Sequence, residues 1–282
     1  MHPDEGRRPE EATLPPDVIH IQASKITEHK AQVQAQFGGT AEAYVRSAGH
    51  AGGPDLDRLL EWGRATGQSR VLDVATGGGH TALAFSAFTP TVVATDLTEP
   101  MLLAARAFAA SQGMTTIRFL GADADALPFR DASFGVVTCR IAAHHFPAVP
   151  PALRQVARVL LPGGSFLLQD ILGHDDPELA GFILEVEKRR DPSHVRSLSR
   201  REWTDCLTSA GFTVIEEAIV TKGRPWEEWT GRMRMSAEAR AHLDRFVLDA
   251  PARCREAFSF TVEDGRIRSF ADRMVLIRAG KG

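Results

Sequence analysis

The chain has 282 residues, 43% of them hydrophobic, with 33 Lys plus Arg against 36 Asp plus Glu and a formal charge of −3. That balance lacks the basic excess of a protein that coats nucleic acid, and it supplies ample apolar material for a core. Cys139, Cys206 and Cys254 are too few and too widely spaced for a disulfide framework or a cysteine zinc site, no apolar leader opens the chain, and no run of about 18 apolar residues offers a membrane span. A cytoplasmic protein without membrane or nucleic-acid partners is expected.

Residues 1–19 are polar, carry four prolines and read as a disordered arm. Residues 20–65 read as a helical cap, in which Val33, Phe37, Ala41 and Val45 recur at fourfold spacing. Gly52, Gly53 and Pro54 interrupt it before a second helix over Leu56 to Ala65. A regular alternation follows. Strands are predicted over 70–75, 91–96, 116–122, 134–140 and 165–170, with helices over 80–87, 99–112 and 151–160 between them. Such alternation implies a parallel sheet with helices on both faces, doubly wound by right-handed crossovers. The core is expected to span 66–220, closing with a helix over 199–210 and a strand over 212–220. Residues 221–270 read as a helical insertion, and a last strand falls in 271–282.

The segment VLDVATGGGHTA, Val71 to Ala82, is the most informative. A strand runs into Gly77, Gly78 and Gly79 and then into a helix. Glycines there admit positive φ and let a ligand approach the backbone, while the helix start points free N–H groups at it. Two cofactor classes fit. Gly77-x-Gly79-x-x-Ala82, with Asp96 ending the next strand, satisfies the relaxed dinucleotide fingerprint. Asp73, inside the first strand, fits that class poorly, because a pyrophosphate approaches the strand end. A carboxylate there suits the ammonium of S-adenosylmethionine. A plain glycine turn is the third possibility.

With ATDLTEPML (Ala94 to Leu102), DADALPF (Asp123 to Phe129) and VARVLLPGG (Val156 to Gly164) in the same order, the sequence resembles the class I S-adenosylmethionine-dependent methyltransferases, in particular their ubiquinone/menaquinone-biosynthesis-like branch. The resemblance implies an α/β, seven-stranded Rossmann-like sheet with its last strand antiparallel, and S-adenosyl-L-methionine as cofactor. It implies that Asp73 and the backbone at Ala75, Gly77 and Gly79 hold the methionine portion. Asp96 and Leu97 would meet the ribose, Met101 the adenine face, and Asp123 and Ala124 the adenine edge. Arg140 would lie beside the cofactor, and Tyr44 would close the pocket from the cap. Two positions depart from the pattern: Ala75 replaces a frequent Gly, and Gly135 replaces a common Asp.

Methyl transfer to a small organic acceptor, quinone-like or a secondary metabolite, is therefore expected. A non-catalytic S-adenosylmethionine-binding module and a nicotinamide-dependent oxidoreductase are the alternatives. His144 and His145 follow the fourth strand, where an acceptor would meet the methyl group; one of them could serve as base, or both could be structural. Asp170, ending the fifth strand, could orient such a base or act as a surface carboxylate. Trp226 and Trp229 share one helical face and either line a lid or fill its core. The basic run of Lys188, Arg189 and Arg190 reads as a solvated face or an attractor of anions.

Overall fold

Strand β1 (Arg70–Val74) is buried at four of its five positions, and it lies inside the sheet that the computed structural model shows over residues 28–47, 51–68 and 70–282. It pairs in parallel with β2 (Thr91–Asp96) on one side and β4 (Phe134–Arg140) on the other. Outside β2 lies β3 (Ile117–Gly121), and outside β4 lies β5 (Leu160–Ile171), both parallel. The chain thus winds outward in one direction from β1, returns, and winds outward in the other. The crevice between the carboxyl ends of β1 and β4 is where an open α/β sheet binds its ligand.

The last strand, β8 (Arg266–Lys281), runs antiparallel between β5 and β6 (Phe212–Pro225). A short β7 (Thr261–Glu263) pairs only with β8, so the sheet has eight strands, seven of them on the main path. β8 begins five residues earlier than the sequence pattern suggests, at Arg266, and β6 continues to Pro225. Residues 226–265 therefore form the insertion between them. It contains α9 (Trp226–Gly231), α10 (Ala237–Leu248) and α11 (Ala252–Ala257).

Helices α1 (Glu28–Gly38), α2 (Ala41–Val45) and α3 (Pro54–Ala65) precede the sheet. On one sheet face α3, α4 (His80–Ser86) and α5 (Glu99–Ser111) bury Leu59, Trp62, Phe85 and Ala109. On the other, α6 (Val149–Val159) and α8 (Arg200–Ser209) bury Leu153, Val156, Trp203 and Leu207. α7 (Pro177–Arg190) has no counterpart in the expected pattern. Pro177 opens it and the Asp176 carboxylate caps it by accepting from the Glu178 and Leu179 amides. It packs with the insertion around Phe182, Trp226, Trp229 and Phe270. Pro162, Gly163 and Gly164 lie inside β5 instead of ending a helix, and the β4–β5 register shifts beside them. The expected disordered arm, 1–19, lies outside the described residues.

Two glycines are fixed by packing. A Cβ on Gly135 would run into the Gln68 side chain, which is why an Asp is not accommodated there. A Cβ on Gly63 would run into the buried Phe85 ring. Gly63→Ala should therefore destabilise the protein. Overpacking costs about 1–3 kcal/mol, which outweighs the helix-propensity gain of about 1 kcal/mol. Thermal unfolding should show a lower midpoint; a higher one would mean that α3 does not rest on Phe85.

Candidate active site

The turn after β1 is left-handed at three places, with φ of +53° at Ala75, +55° at Gly77 and +82° at Gly79. Ala75 therefore sits in a conformation that disfavours a side chain by about 1–2 kcal/mol, which accounts for Gly being frequent at this place in the resemblance. Gly78 has its own role. A Cβ there would lie 3.1 Å from the Tyr44 backbone, so its absence lets α2 close on the turn. His80 secures the same contact, its ring 3.2 Å from the Tyr44 carbonyl.

Asp96 takes one backbone hydrogen bond on each carboxylate oxygen, from the Gly77 amide at 2.9 Å and the Thr98 amide at 2.9 Å. Each oxygen has a second lone pair, so two acceptor sites remain for the two hydroxyls of a ribose. At the end of β3, Asp123 is buried. The Lys30 ammonium of α1 bonds it at 2.6 Å and Asp125 at 2.7 Å. An adenine amine at Asp123 would share that carboxylate with Lys30. Ala75, Leu97, Met101 and Ala124 complete this wall of the cavity. The glycine turn and the two carboxylates, one at each of two neighbouring strand ends, fit the donors of S-adenosylmethionine.

Two expected contacts are placed differently. Asp73 does not line the cavity: its carboxylate accepts from Thr138 Oγ1 at 2.6 Å and Thr76 Oγ1 at 2.6 Å. Burial pushes its carboxyl up to about 6 despite those hydrogen bonds. It braces the turn from below. Gly79 packs on Ala105, 3.1 Å from where its Cβ would be, and serves helix packing. Tyr44 lines the cavity from the cap, and its hydroxyl meets Arg190 and Met233 Sδ, the latter at 3.7 Å, on the side of the insertion.

Arg140 lines the cavity, but its guanidinium is committed below it. Nη2 bonds Asp55 at 3.0 Å and Nε bonds the Gln169 side chain at 2.7 Å. Gln169 and Lys222 also donate to Asp55, at 2.7 and 3.2 Å. Burial works against the Asp55 charge, yet the Gln169 hydrogen bond and the charges of Arg140 and Lys222 prevail and hold its carboxyl at about 2.

The expected pair at the end of β4 and the expected carboxylate at the end of β5 do meet. His144 and His145 lie on a single 3-10 turn. Asp170 Oδ1 is 2.5 Å from His144 Nδ1, and Oδ2 accepts from the His144 amide at 2.9 Å. An ionised carboxylate only accepts, so Nδ1 carries the proton and Nε2 is the basic atom of the neutral ring. His144 lines the cavity, and among the described residues its Nε2 makes no hydrogen bond. Burial opposes the charged ring, but Asp170 outweighs it and raises the His144 pKa above the usual 6.5. His145 behaves oppositely. Burial and the charge of His144 push it down to about 4, and its Nδ1 donates to the Ser193 carbonyl at 3.0 Å. The two neighbours thus have different electrostatic characters.

Lys30, Glu187, Arg224 and Arg232 also line the cavity and escape the sequence pattern, whereas Arg190 and Trp229, which line it too, stood out there in the basic run and in the tryptophan pair. Glu187 had a legible signal. It continues the buried stripe Leu179, Phe182, Ile183, Val186 of α7, where an apolar residue is expected. Burial and the Asp272 charge push its carboxyl up to about 7, and its Oε1 is buried without a hydrogen bond among the described residues. Trp226 and Trp229 stack at 5.2 Å in the core of the insertion, and Trp229 also faces the cavity.

A family profile described as a methyltransferase domain matches residues 72–168. The chain is 34% identical over 249 residues to the uncharacterised methyltransferase YcgJ of Bacillus subtilis, covering 88% of this chain and 98% of that one. A protein of Bacillus halodurans C-125, solved as a methyltransferase candidate, superposes with a TM-score of 0.78 at 40% identity, covering 81% of this chain and 99% of that one. The ubiquinone/menaquinone biosynthesis C-methyltransferase UbiE of Dinoroseobacter shibae matches at 36% identity over 126 residues, 44% of this chain and 50% of that one. Joined to a doubly wound sheet with a glycine turn and acidic strand ends, these matches define a class I methyltransferase. The chain belongs to the S-adenosylmethionine-dependent methyltransferase family, and of the enzyme classes that the glycine turn left open it is this one.

The Asp55 network gives a stability prediction. Asp55→Ala removes the buried carboxylate that Arg140, Gln169 and Lys222 share and should cost about 3–5 kcal/mol in denaturant unfolding. The folded-state pKa lies below the unfolded value of about 3.9, so this contribution is complete above pH 4 and is lost as pH falls toward 2. The wild-type stability should fall more steeply between pH 4 and 2 than that of Asp55→Asn. Parallel slopes would refute the pairing.

Proposed function

We propose that this chain binds S-adenosyl-L-methionine in the Asp96–Asp123 cradle and transfers its methyl group, by in-line displacement, to a small organic acceptor whose accepting atom loses a proton. The observation that carries this reading is the Asp170–His144 pair: His144 lines the same cavity, and with Nδ1 held by Asp170 its basic atom is Nε2. The bound cofactor supplies a methyl carbon already activated by a sulfonium.

The chain's own residues do the rest. The turn at Gly77 and Gly78 admits the ligand to the backbone, and Asp96 fixes the ribose. His144 Nε2 takes the acceptor's proton, leaving a more nucleophilic oxygen or carbon. Asp170 is a positioning residue: it holds the tautomer and stabilises the imidazolium that forms. His145, held neutral and bonded to Ser193, packs against Phe37 and shapes the wall. The partial match to UbiE supports a quinone-like ring or a related secondary metabolite as acceptor.

Calorimetric titration should show binding of S-adenosylmethionine and S-adenosylhomocysteine but not NAD. Asp96→Ala should weaken both by about 10- to 100-fold, the range for lost hydrogen bonds to a charged group. NAD binding with no adenosyl binding would overturn the cofactor assignment. NMR titration should give His144 a pKa above that of a free histidine, and Asp170→Asn should lower it. Cofactor turnover with an active acceptor should rise with pH through the His144 pKa, because the base must be neutral. His144→Gln should keep homocysteine-adduct binding and lose about 10²- to 10⁴-fold in kcat. Undiminished turnover in that variant would remove the base from the mechanism.

A further inference from the structure

The wall of the cavity formed by α7 and the insertion is unusually rich in guanidinium. Arg190 ends α7, Arg224 lies near the end of β6, and Arg232 follows α9; all three line the cavity and all are nearly buried. Only Arg224 has a close carboxylate, with Nε bonding Asp272 at 2.6 Å. Arg190 donates to the Trp229 carbonyl at 3.0 Å, lies 4.4 Å above the Trp229 ring and hydrogen-bonds the Tyr44 side chain. Its nearest carboxylate oxygen, on Glu187, is 3.9 Å away, beyond hydrogen-bond reach. Arg232 donates to Ser47 at 3.1 Å, and its Nε is buried without a partner among the described residues. Its carboxylate neighbour, Glu228, is 4.0 Å away and largely in solvent.

Three acids, Glu187, Asp191 and Asp272, line the same cavity, but among the described residues no carboxylate lies within hydrogen-bond reach of Arg190 or Arg232. Asp272 pairs with Arg224, and Asp191 accepts from the Ser193 amide and hydroxyl at 2.9 and 2.5 Å. Burial and the Asp272 charge push the Glu187 carboxyl up to about 7, so near neutrality it carries only part of its charge. Burial, Arg190 and Arg224 together push the Arg232 pKa down, the sign of cations crowded in a poorly solvated place. Buried guanidiniums are tolerated when an anion completes them, and their planar fork matches a carboxylate or phosphate. A wholly neutral ring gives Arg190 and Arg232 no such partner, whereas a quinone-like ring that bears an acidic group does.

We propose that the methyl acceptor carries an anionic group, a carboxylate or a phosphate, bound by Arg190 and Arg232 beside the Trp229 ring, with Arg224 adding positive charge. This rests on the reading that the acceptor occupies the same cavity as His144. The anion anchors one end of the acceptor at the insertion, and the proton-bearing atom is thereby presented toward His144. The acceptor class is an acidic small molecule, not a neutral one.

The test is calorimetric titration of the full chain, saturated with S-adenosylhomocysteine, using benzoate, its neutral counterpart benzamide, and inorganic phosphate. Benzoate should bind one per chain and at least about tenfold more tightly than benzamide, the ratio expected for a charged hydrogen-bonded contact. Competition by phosphate at lower concentration than benzoate would assign a phosphorylated acceptor, and the reverse a carboxylic acid. Arg190→Gln and Arg232→Gln should each erase the preference while keeping adenosylhomocysteine affinity, which also reports that the variants fold. Equal binding of benzamide, no binding of either anion, or a preference that survives both substitutions would overturn the proposal. Repeating the anion titration without adenosylhomocysteine separates the two readings: failure of the nucleoside to bind would count against the cofactor cradle alone.

Discussion

One buried carboxylate holds the working end of this molecule together. Asp55 comes from the cap helix α3, and its partners come from β4 (Arg140), β5 (Gln169) and β6 (Lys222). A charge so deeply buried is costly unless every partner is in place. The network is therefore complete only when the cap, both central strands and the outer strand have docked. It fixes the floor of the cavity, because Arg140 is pinned downward and the ends of β4 and β5 are held side by side. Those ends carry His144 and Asp170.

Along the cavity the charged groups change in kind. The end beneath α1 and α2 is acidic, with Asp96, Asp123 and Asp125 tempered by Lys30. The end beneath the insertion gathers the guanidiniums of Arg190, Arg224 and Arg232 among the acids Glu187, Asp191 and Asp272. Between them stands an imidazole raised in basicity by one carboxylate, next to a second imidazole that burial and the first ring's charge keep neutral. A cationic cofactor and an anionic acceptor would each find their complement, and oppositely charged groups at the two ends would orient them toward one another.

Much of this was legible in the order of residues. The apolar runs of β1, β2 and β4 are continuous because a parallel sheet buries both faces, so strand alternation is visible without coordinates. The glycine turn is visible because left-handed backbone selects for glycine. His144 and Asp170 could be named because they end adjacent parallel strands. That they form a pair, and that His144 and not His145 is the one joined, depended on β4–β5 register and on a 3-10 turn that local sequence does not encode. Asp73 shows the opposite case. Its position suggested a ligand contact, but two threonines, one of them 65 residues away, claim both oxygens. Gly135 stood out as a departure, and its reason lies in Gln68, outside the strand.

The sequence by itself determined the sheet class, the acidic strand ends Asp96 and Asp123, and the family, since these rest on periodicity and on short contiguous motifs. Tertiary structure decided the arginine-lined end of the cavity. Arg190, Arg224, Arg232, Trp229 and Glu187 come from a helix, a strand end and an insertion that approach one another only after the sheet has formed. Singly most read as a surface charge or a core aromatic. Their chemistry arises from mutual burial, which lowers the dielectric around them and strengthens every charge interaction they make.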